Sequence, residues 1–149
     1  MEIIVTEAKI NSSPARELIS ELSAILKEIS GDSGSDNFQD FDNRNPRNLF
    51  LLANYNSTPV GCVALREVDF ETCELKRMYA RHKGAGTRLL EEFEARALLL
   101  GFNRIILSTR RLNVKAIAFY KRNGFDEIEP YGVYKLRSPE ISICMAKEI

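Results

Sequence analysis

The chain has 149 residues, 44% hydrophobic and 28% charged, and its 21 basic side chains balance 21 acidic ones. That length fits one domain, residues 1–149, and about 150 residues can bury roughly 68–70% of the unfolded surface without a metal or disulfide staple. Charge neutrality excludes a broadly cationic nucleic-acid coat, no apolar run approaches the roughly 18 residues of a membrane span, and Met1 to Val5 does not open like a signal peptide. We therefore expect a cytoplasmic domain with neither nucleic acid nor membrane as partner.

Ile3 to Ile10 is short and β-prone and reads as the first strand. Ser12-Ser13-Pro14 then offers a capping hydroxyl and a proline at the first helical position. Leu18, Ile19, Leu22, Ile25, Leu26 and Ile29 recur at helical spacing until Gly31. Asp32 to Arg47 is polar around Phe38 and Phe41 and reads as a loop or short irregular helix. From Asn48 the period shortens: Leu49 to Tyr55 and Val60 to Leu65 form strands about a turn at Asn56 to Pro59, with a third strand at Cys73 to Ala80. Leu89, Leu90, Phe93, Ala97 and Leu100 mark a helix that Gly101 stops. Ile105 to Leu107 is a buried strand, and Asn113 to Asn123 a helix capped by Asn113 and stopped by Gly124. Glu127 to Tyr134 and Ile141 to Ala146 are expected as closing strands. The order β-α-loop-β-β-β-α-β-α-β-β predicts an α/β or α+β domain around a mixed central sheet.

Cys62, Cys73 and Cys144 lie in or beside apolar stretches, and His82 is the single histidine. This inventory builds neither a usual zinc site nor a disulfide framework, so no metal is expected and the thiols read as small buried hydrophobes.

Two stretches carry chemistry. Arg81-His82-Lys83-Gly84-Ala85-Gly86-Thr87 joins a strand to a helix. Its glycines let backbone N–H groups approach a ligand, and the helix start adds unpaired N–H groups beside Arg81, Lys83 and Arg88. That combination suits a phosphate or pyrophosphate, although neither a Walker loop nor Gly-x-Gly-x-x-Gly is present. The second stretch, Leu112 to Phe125, is a capped helix carrying Tyr120, which read locally is an amphipathic residue half in the core.

Together these stretches resemble the GNAT superfamily of acetyl-CoA-dependent N-acetyltransferases. Arg81-x-x-Gly84-x-Gly86 matches its acyl-CoA signature, and Asn113-x-x-Ala116-x-x-Phe119-Tyr120-x-x-x-Gly124-Phe125 is similar to its later block. Glu74 to Tyr79 looks like the strand leading into the loop. The chain departs from the family in the link from Tyr79-Ala80-Arg81 to the glycines, which is several residues short and lacks the usual proline-containing stretch. The resemblance implies a single-domain, mostly antiparallel sheet flanked by helices, with acetyl-CoA as co-substrate. It implies cofactor contacts from the backbones of Met78 and Ala80, from Arg81, Lys83, Gly84, Ala85, Gly86 and Thr87, and from Asn113. Tyr120 would then be the general acid toward the thiolate, and Glu74 the candidate base for the amine.

Asp36, Asp40, Asp42, Glu67, Asp69 and Glu71 read as solvated loop carboxylates or fall where they could rim the acceptor side, which would favour a cationic amine or a lysine-rich peptide. Tyr131 and Tyr134 are expected to shape that pocket or pack the last hairpin. The acceptor implied is a small-molecule or peptide amine, and a homodimer follows by analogy. A non-catalytic acyl-CoA-binding regulatory module and a nucleotide- or nucleic-acid-binding α/β domain remain open beside this reading.

Overall fold

A computed structural model describes residues 2–38 and 41–149, the side chain of Asn37 excepted. In chain order the elements are β1 (Ile3–Glu7), α1 (Ser13–Ser30), β2 (Leu49–Tyr55), β3 (Thr58–Glu67), β4 (Thr72–Ala80), α2 (Ala85–Leu99), β5 (Arg104–Arg110), α3 (Val114–Arg122), β6 (Asp126–Ile128) and β7 (Ser142–Glu148). Short 3-10 turns occupy Ser35–Phe38 and Gly132–Leu136. The seven strands form one sheet in the order β1-β2-β3-β4-β5-β7-β6. Every neighbouring pair is antiparallel except β4 and β5, which run parallel and are joined through α2.

Strand alternation sends two sets of apolar side chains to opposite faces. Leu51, Val63, Leu65, Leu75, Ile105 and Leu107 pack with Leu89 and Phe93 of α2 and Tyr120 of α3. Phe50, Leu52, Cys62 and Ala64 meet Ala15 and Leu18 of α1 on the other face. Phe93, Phe102 and Phe125 are almost fully buried, and each such side chain contributes about 1.5–3 kcal/mol of burial. The three cysteines are buried and unbridged. Burial pushes the thiols of Cys62 and Cys73 up to about 12, which keeps them neutral.

Most element boundaries agree with the sequence pattern, and the differences have local causes. The β2–β3 link is a two-residue hairpin turn at Asn56 and Ser57, both at positive φ, so β3 begins at Thr58. Ser12 precedes α1 as expected, but its hydroxyl makes no capping bond. The stretch Glu127 to Tyr134 is a strand only as far as Ile128. Pro130 offers no N–H to a ladder, and Gly132 at φ +53 turns the chain into the 3-10 segment.

Two irregularities in the middle of the sheet make the site. The β3–β4 ladder shifts between Cys62 and Ala64, where Arg77 adopts φ +55 as the extra residue of a bulge. The β4–β5 ladder ends at Glu74 opposite Ile106, while β4 continues to Ala80 and β5 to Arg110. The two parallel strands thus part company at their C-terminal ends, leaving a slot in the centre of the sheet.

Candidate active site

Arg77 holds the bulge. Its guanidinium passes beneath the sheet to donate to Ser33 O (2.9 Å), Ile19 O (3.2 Å) and the Ser23 hydroxyl, and the Cys62 thiol donates to the Arg77 carbonyl (3.4 Å). A left-handed conformation costs a residue with a Cβ about 1–2 kcal/mol, and these tertiary bonds offset it. The consequence is that β4 bends away from β5 just where its edge is unpaired.

The slot is lined by Met78 from β4, Leu107 to Arg110 from β5, Asn113, Ala116 and Tyr120 around α3, and Leu22 and Leu26 from α1. Tyr120 is 6% exposed and packs edge-on to Phe119 and Phe125, with ring centroids at 5.4 and 5.5 Å. Burial raises its pKa above that of an ordinary phenol, so it carries its proton at neutral pH. The Asn113 side chain caps α3 by accepting the Ala116 N–H (3.4 Å). Met78 lies in the slot, while Ala80 ends β4 opposite Gly61 of β3.

The start of α2 forms a second group of expected residues. Gly84 is the N-cap at φ +87, a conformation that disfavours any side chain, and no side chain caps the helix. The nearest atoms to a Cβ at Gly86 would be those of the Phe119 ring and Ala80 Cβ, at an ordinary contact distance of 3.6–3.7 Å. The fold therefore has room for a side chain there, and what a glycine preserves is open backbone above the helix start. That opening suits a phosphate on the N–H groups of Gly86 and Thr87. Lys83 is exposed beside it.

Arg81 does not join that group. Its guanidinium donates to Pro59 O (3.1 and 2.8 Å) and pairs with Glu17 and Glu21 of α1. Tyr79 donates to the same Glu21 at 2.8 Å. With so few residues between β4 and α2, Arg81 still follows β3, its N–H donating to Val60 O, and its side chain leaves toward α1.

Glu74 is 1% exposed, in a hollow next to the slot, and Lys76 and Tyr134 border both. Arg66 reaches its carboxylate at 2.8 Å, Lys76 at 3.4 Å, and the Tyr131 hydroxyl donates to Oε2 at 2.6 Å. Burial, followed by the neighbouring Glu74 carboxylate, raises the Tyr131 pKa. The bulge sends Arg77 toward α1, and Arg66 on β3, which faces Glu74 across the ladder, supplies an ionic partner beside Lys76. Tyr131 as a partner of Glu74 was not legible, because it depends on how the 3-10 segment folds back.

The acidic residues expected to rim the acceptor side are largely engaged elsewhere. Asp42 binds Arg44, Glu67 binds Asn45 and Arg47, and Asp69 accepts the Glu71 and Thr72 N–H groups. Glu71 is exposed in that turn and Asp36 borders the hollow near Glu74; Asp40 lies outside the described residues. The charged side chains that do line the slot are Lys76, Arg77, Arg110, Arg137 and the single carboxylate Asp32. Asp42 and Glu67 thus stand as loop carboxylates with nearby partners, while Asp36 and Asp69 line the hollow at Glu74. The signal of the slot's charges in the sequence was only the alternation of Ser108 and Arg110 with Leu107 and Thr109 along β5. Among the described residues no cluster of His, Cys, Asp and Glu is placed to hold a metal, and no helix is long and apolar enough to cross a membrane.

A sheet split between two parallel strands, with an uncapped helix following the first and a protonated tyrosine after the second, defines the acyl-CoA N-acyltransferase fold. The sequence model of the acetyltransferase (GNAT) family matches residues 15–125, and the chain belongs to that family. It is 37% identical over 91 residues to an IAA acetyltransferase of Azospirillum brasilense, a match covering 57% of this chain and 59% of that protein. The chain thus spans about three fifths of the length of the first curated relatives it matches (59% and 61%). Among solved structures, an acetyltransferase from Streptococcus agalactiae superposes with a TM-score of 0.75 at 21% identity, covering 99% of this chain and 98% of that one. A GNAT family acetyltransferase from Elizabethkingia anophelis with acetyl-CoA bound gives 0.72 at 18% identity over 99% and 98% of the two chains. These two likenesses concern the fold.

Proposed function

We propose that the protein is an N-acetyltransferase that moves an acetyl group from acetyl-CoA to a primary amine by direct attack with both substrates bound. The observation that carries this reading is the β4–β5 ladder ending at Glu74 and Ile106 beside a buried, protonated Tyr120. Acetyl-CoA supplies a thioester whose C–S bond is exchanged for a C–N bond to the amine. The unpaired edge of β4 at Met78 to Ala80 offers backbone groups to the amides of the pantetheine arm, as an added strand would. The N–H groups at Gly84 to Thr87 and the Lys83 ammonium hold the pyrophosphate, with Arg81 serving as an α1 anchor. Asn113 orients the arm from the α3 cap, and a β4 N–H near Met78 polarises the carbonyl. Tyr120 Oη carries the proton that the departing sulfur takes. Glu74 receives the proton the ammonium sheds before attack, relayed by the Tyr131 hydroxyl that already donates to it.

Thermal unfolding with acetyl-CoA, CoA and ATP tests the assignment, with wild type beside Gly86→Asp. An acid in the first turn favours the helix but repels a phosphate. A ligand at a hundredfold excess over its dissociation constant stabilises the fold by about 2.7 kcal/mol. Midpoints that rise with both CoA compounds but not ATP, and no longer rise in the variant, are expected. No rise with either CoA compound would overturn the reading. Thiol release in the presence of an amine separates an enzyme from an acyl-CoA-binding module.

A further inference from the structure

Arg110 and Arg137 converge on one carboxylate. Arg110 pairs with Asp32 Oδ2, Arg137 reaches the same oxygen at 3.5 Å, and the Gly34 N–H donates to Oδ1 at 2.9 Å. Arg137 also lies over the Tyr134 ring at 5.6 Å. Both guanidinium side chains are about a quarter exposed (23% and 26%) and face the slot. Arg77, on the same wall, is buried against neutral acceptors, and among the described residues no carboxylate pairs with it. The wall therefore carries three guanidiniums and one carboxylate, an excess of two positive charges.

Beside this excess is an unmet donor. Ser108 Oγ, also in the slot, is buried without a hydrogen-bond partner among the described residues, and so is Ser142 Oγ, whose residue stands opposite Arg110 in the β5–β7 ladder. A buried hydroxyl left unpaired costs about 1–3 kcal/mol, so the wall is poised for an acceptor atom as well as a negative charge. The phosphates of a bound CoA do not account for it. They belong at the start of α2, and no residue from Arg81 to Thr87 lines the slot. Ser108 and Arg110 alternate with Leu107, which faces α2 and α3, and so point to the α1 side of the sheet.

From this we infer that the amine acceptor carries a carboxylate, as an amino acid does, and that Arg110, Arg137 and the Ser108 hydroxyl seat it. The inference rests on the acetyltransferase reading and names its substrate class. A carboxylate presents two oxygens to guanidinium N–H groups in a plane that amides and ammonium groups cannot match. A polyamine would instead bring like charge to a wall already in excess.

The test compares a set of L-amino acids with their carboxamides and with spermidine, in acetyl-CoA turnover and in thermal shift with CoA present. At least one amino acid should raise the midpoint and be acetylated with kcat/KM at least about tenfold above its carboxamide, the worth of roughly one charge-assisted contact. Arg137→Gln and, separately, Arg110→Gln should remove that preference by raising KM while the CoA dissociation constant stays unchanged. Carboxamides or spermidine used as well as amino acids would overturn the inference, as would absence of turnover with every amino acid. A fall in CoA affinity in both variants would overturn it too, assigning the guanidiniums to the cofactor. In these cases an acetyl-CoA shift in wild type leaves the acetyltransferase reading standing; without that shift both fail together.

Discussion

Tyr120 occupies a place where the phenol ring and the hydroxyl do different work. The ring fills the core between Phe119 and Phe125, while the hydroxyl makes no hydrogen bond among the described residues, so the fold gains little from it. Tyr120→Phe keeps the ring contacts, and its unfolding free energy should stay within about 0.5 kcal/mol of wild type. If the hydroxyl supplies the proton for the leaving sulfur, kcat should fall by about a hundredfold or more. Urea unfolding and steady-state kinetics on one preparation check both parts. Glu74 has a different balance, because its carboxylate is fully buried among Arg66, Lys76 and Tyr131 and supports the fold whatever it does in the reaction.

Among the elements, the β4–α2 junction carries the most information. Gly84 and Gly86 look alike as a motif, but the fold asks different things of them. Gly84 stands at φ +87 with only Ile3 Cδ1 near its Cβ position, at 3.7 Å. Gly84→Ala should therefore cost about 1–2 kcal/mol through the backbone alone. Gly86 has an ordinary helical setting, so Gly86→Ala should leave stability unchanged or raise it by up to about 1 kcal/mol. Its penalty should fall on CoA affinity, because the methyl covers the N–H groups that the phosphate uses. Denaturant midpoints and CoA titration of the two variants separate these effects. The glycine spacing was legible in the sequence, as were the cap at Asn113 and the helical periodicity of α1 and α2. The Arg77 bulge was not, since positive φ at an arginine is imposed by Ser23, Ser33 and Ile19, far away in the chain.

At the scale of the whole molecule, Asp32 ties the end of α1 to β5 and to the segment before β7. The Gly34 N–H, then Arg110, hold its carboxyl below the usual carboxylate range. A depressed folded-state pKa means that the stabilisation is present above the ordinary value of about 3.9 and is lost as pH falls through the folded-state pKa. Asp32→Asn should thus cost about 1–3 kcal/mol at neutral pH, the worth of a charge-assisted bond. The gap to wild type should narrow steadily as the pH drops below about 4. Unfolding curves of both proteins from pH 7 to pH 3 test this, and a constant gap would show that the ion pair contributes nothing. Arg47 ties the other end of the sheet together, stacking 3.8 Å over Phe102 and donating to Phe70 O and Leu100 O. Neither tie was legible, because polar loop residues carry no periodicity that names their partners.

The amino-acid order by itself determined the element types as far as Ile128, the glycine turn into α2, the capped helix bearing Tyr120 and, through them, the family. Those features are local: spacing, caps and turn residues act over a few positions and can be read in a line. Tertiary structure alone decided that β4 and β5 separate after Glu74, that Arg81 turns to Glu17 and Glu21, that Arg77 turns to α1, and that Arg110 and Arg137 gather about Asp32. These depend on which loops lie over which strand ends. Loop carboxylates such as Asp42 and Glu67 found partners close by, while Arg110 and Arg137 came to face the slot, and no spacing in the sequence names either outcome.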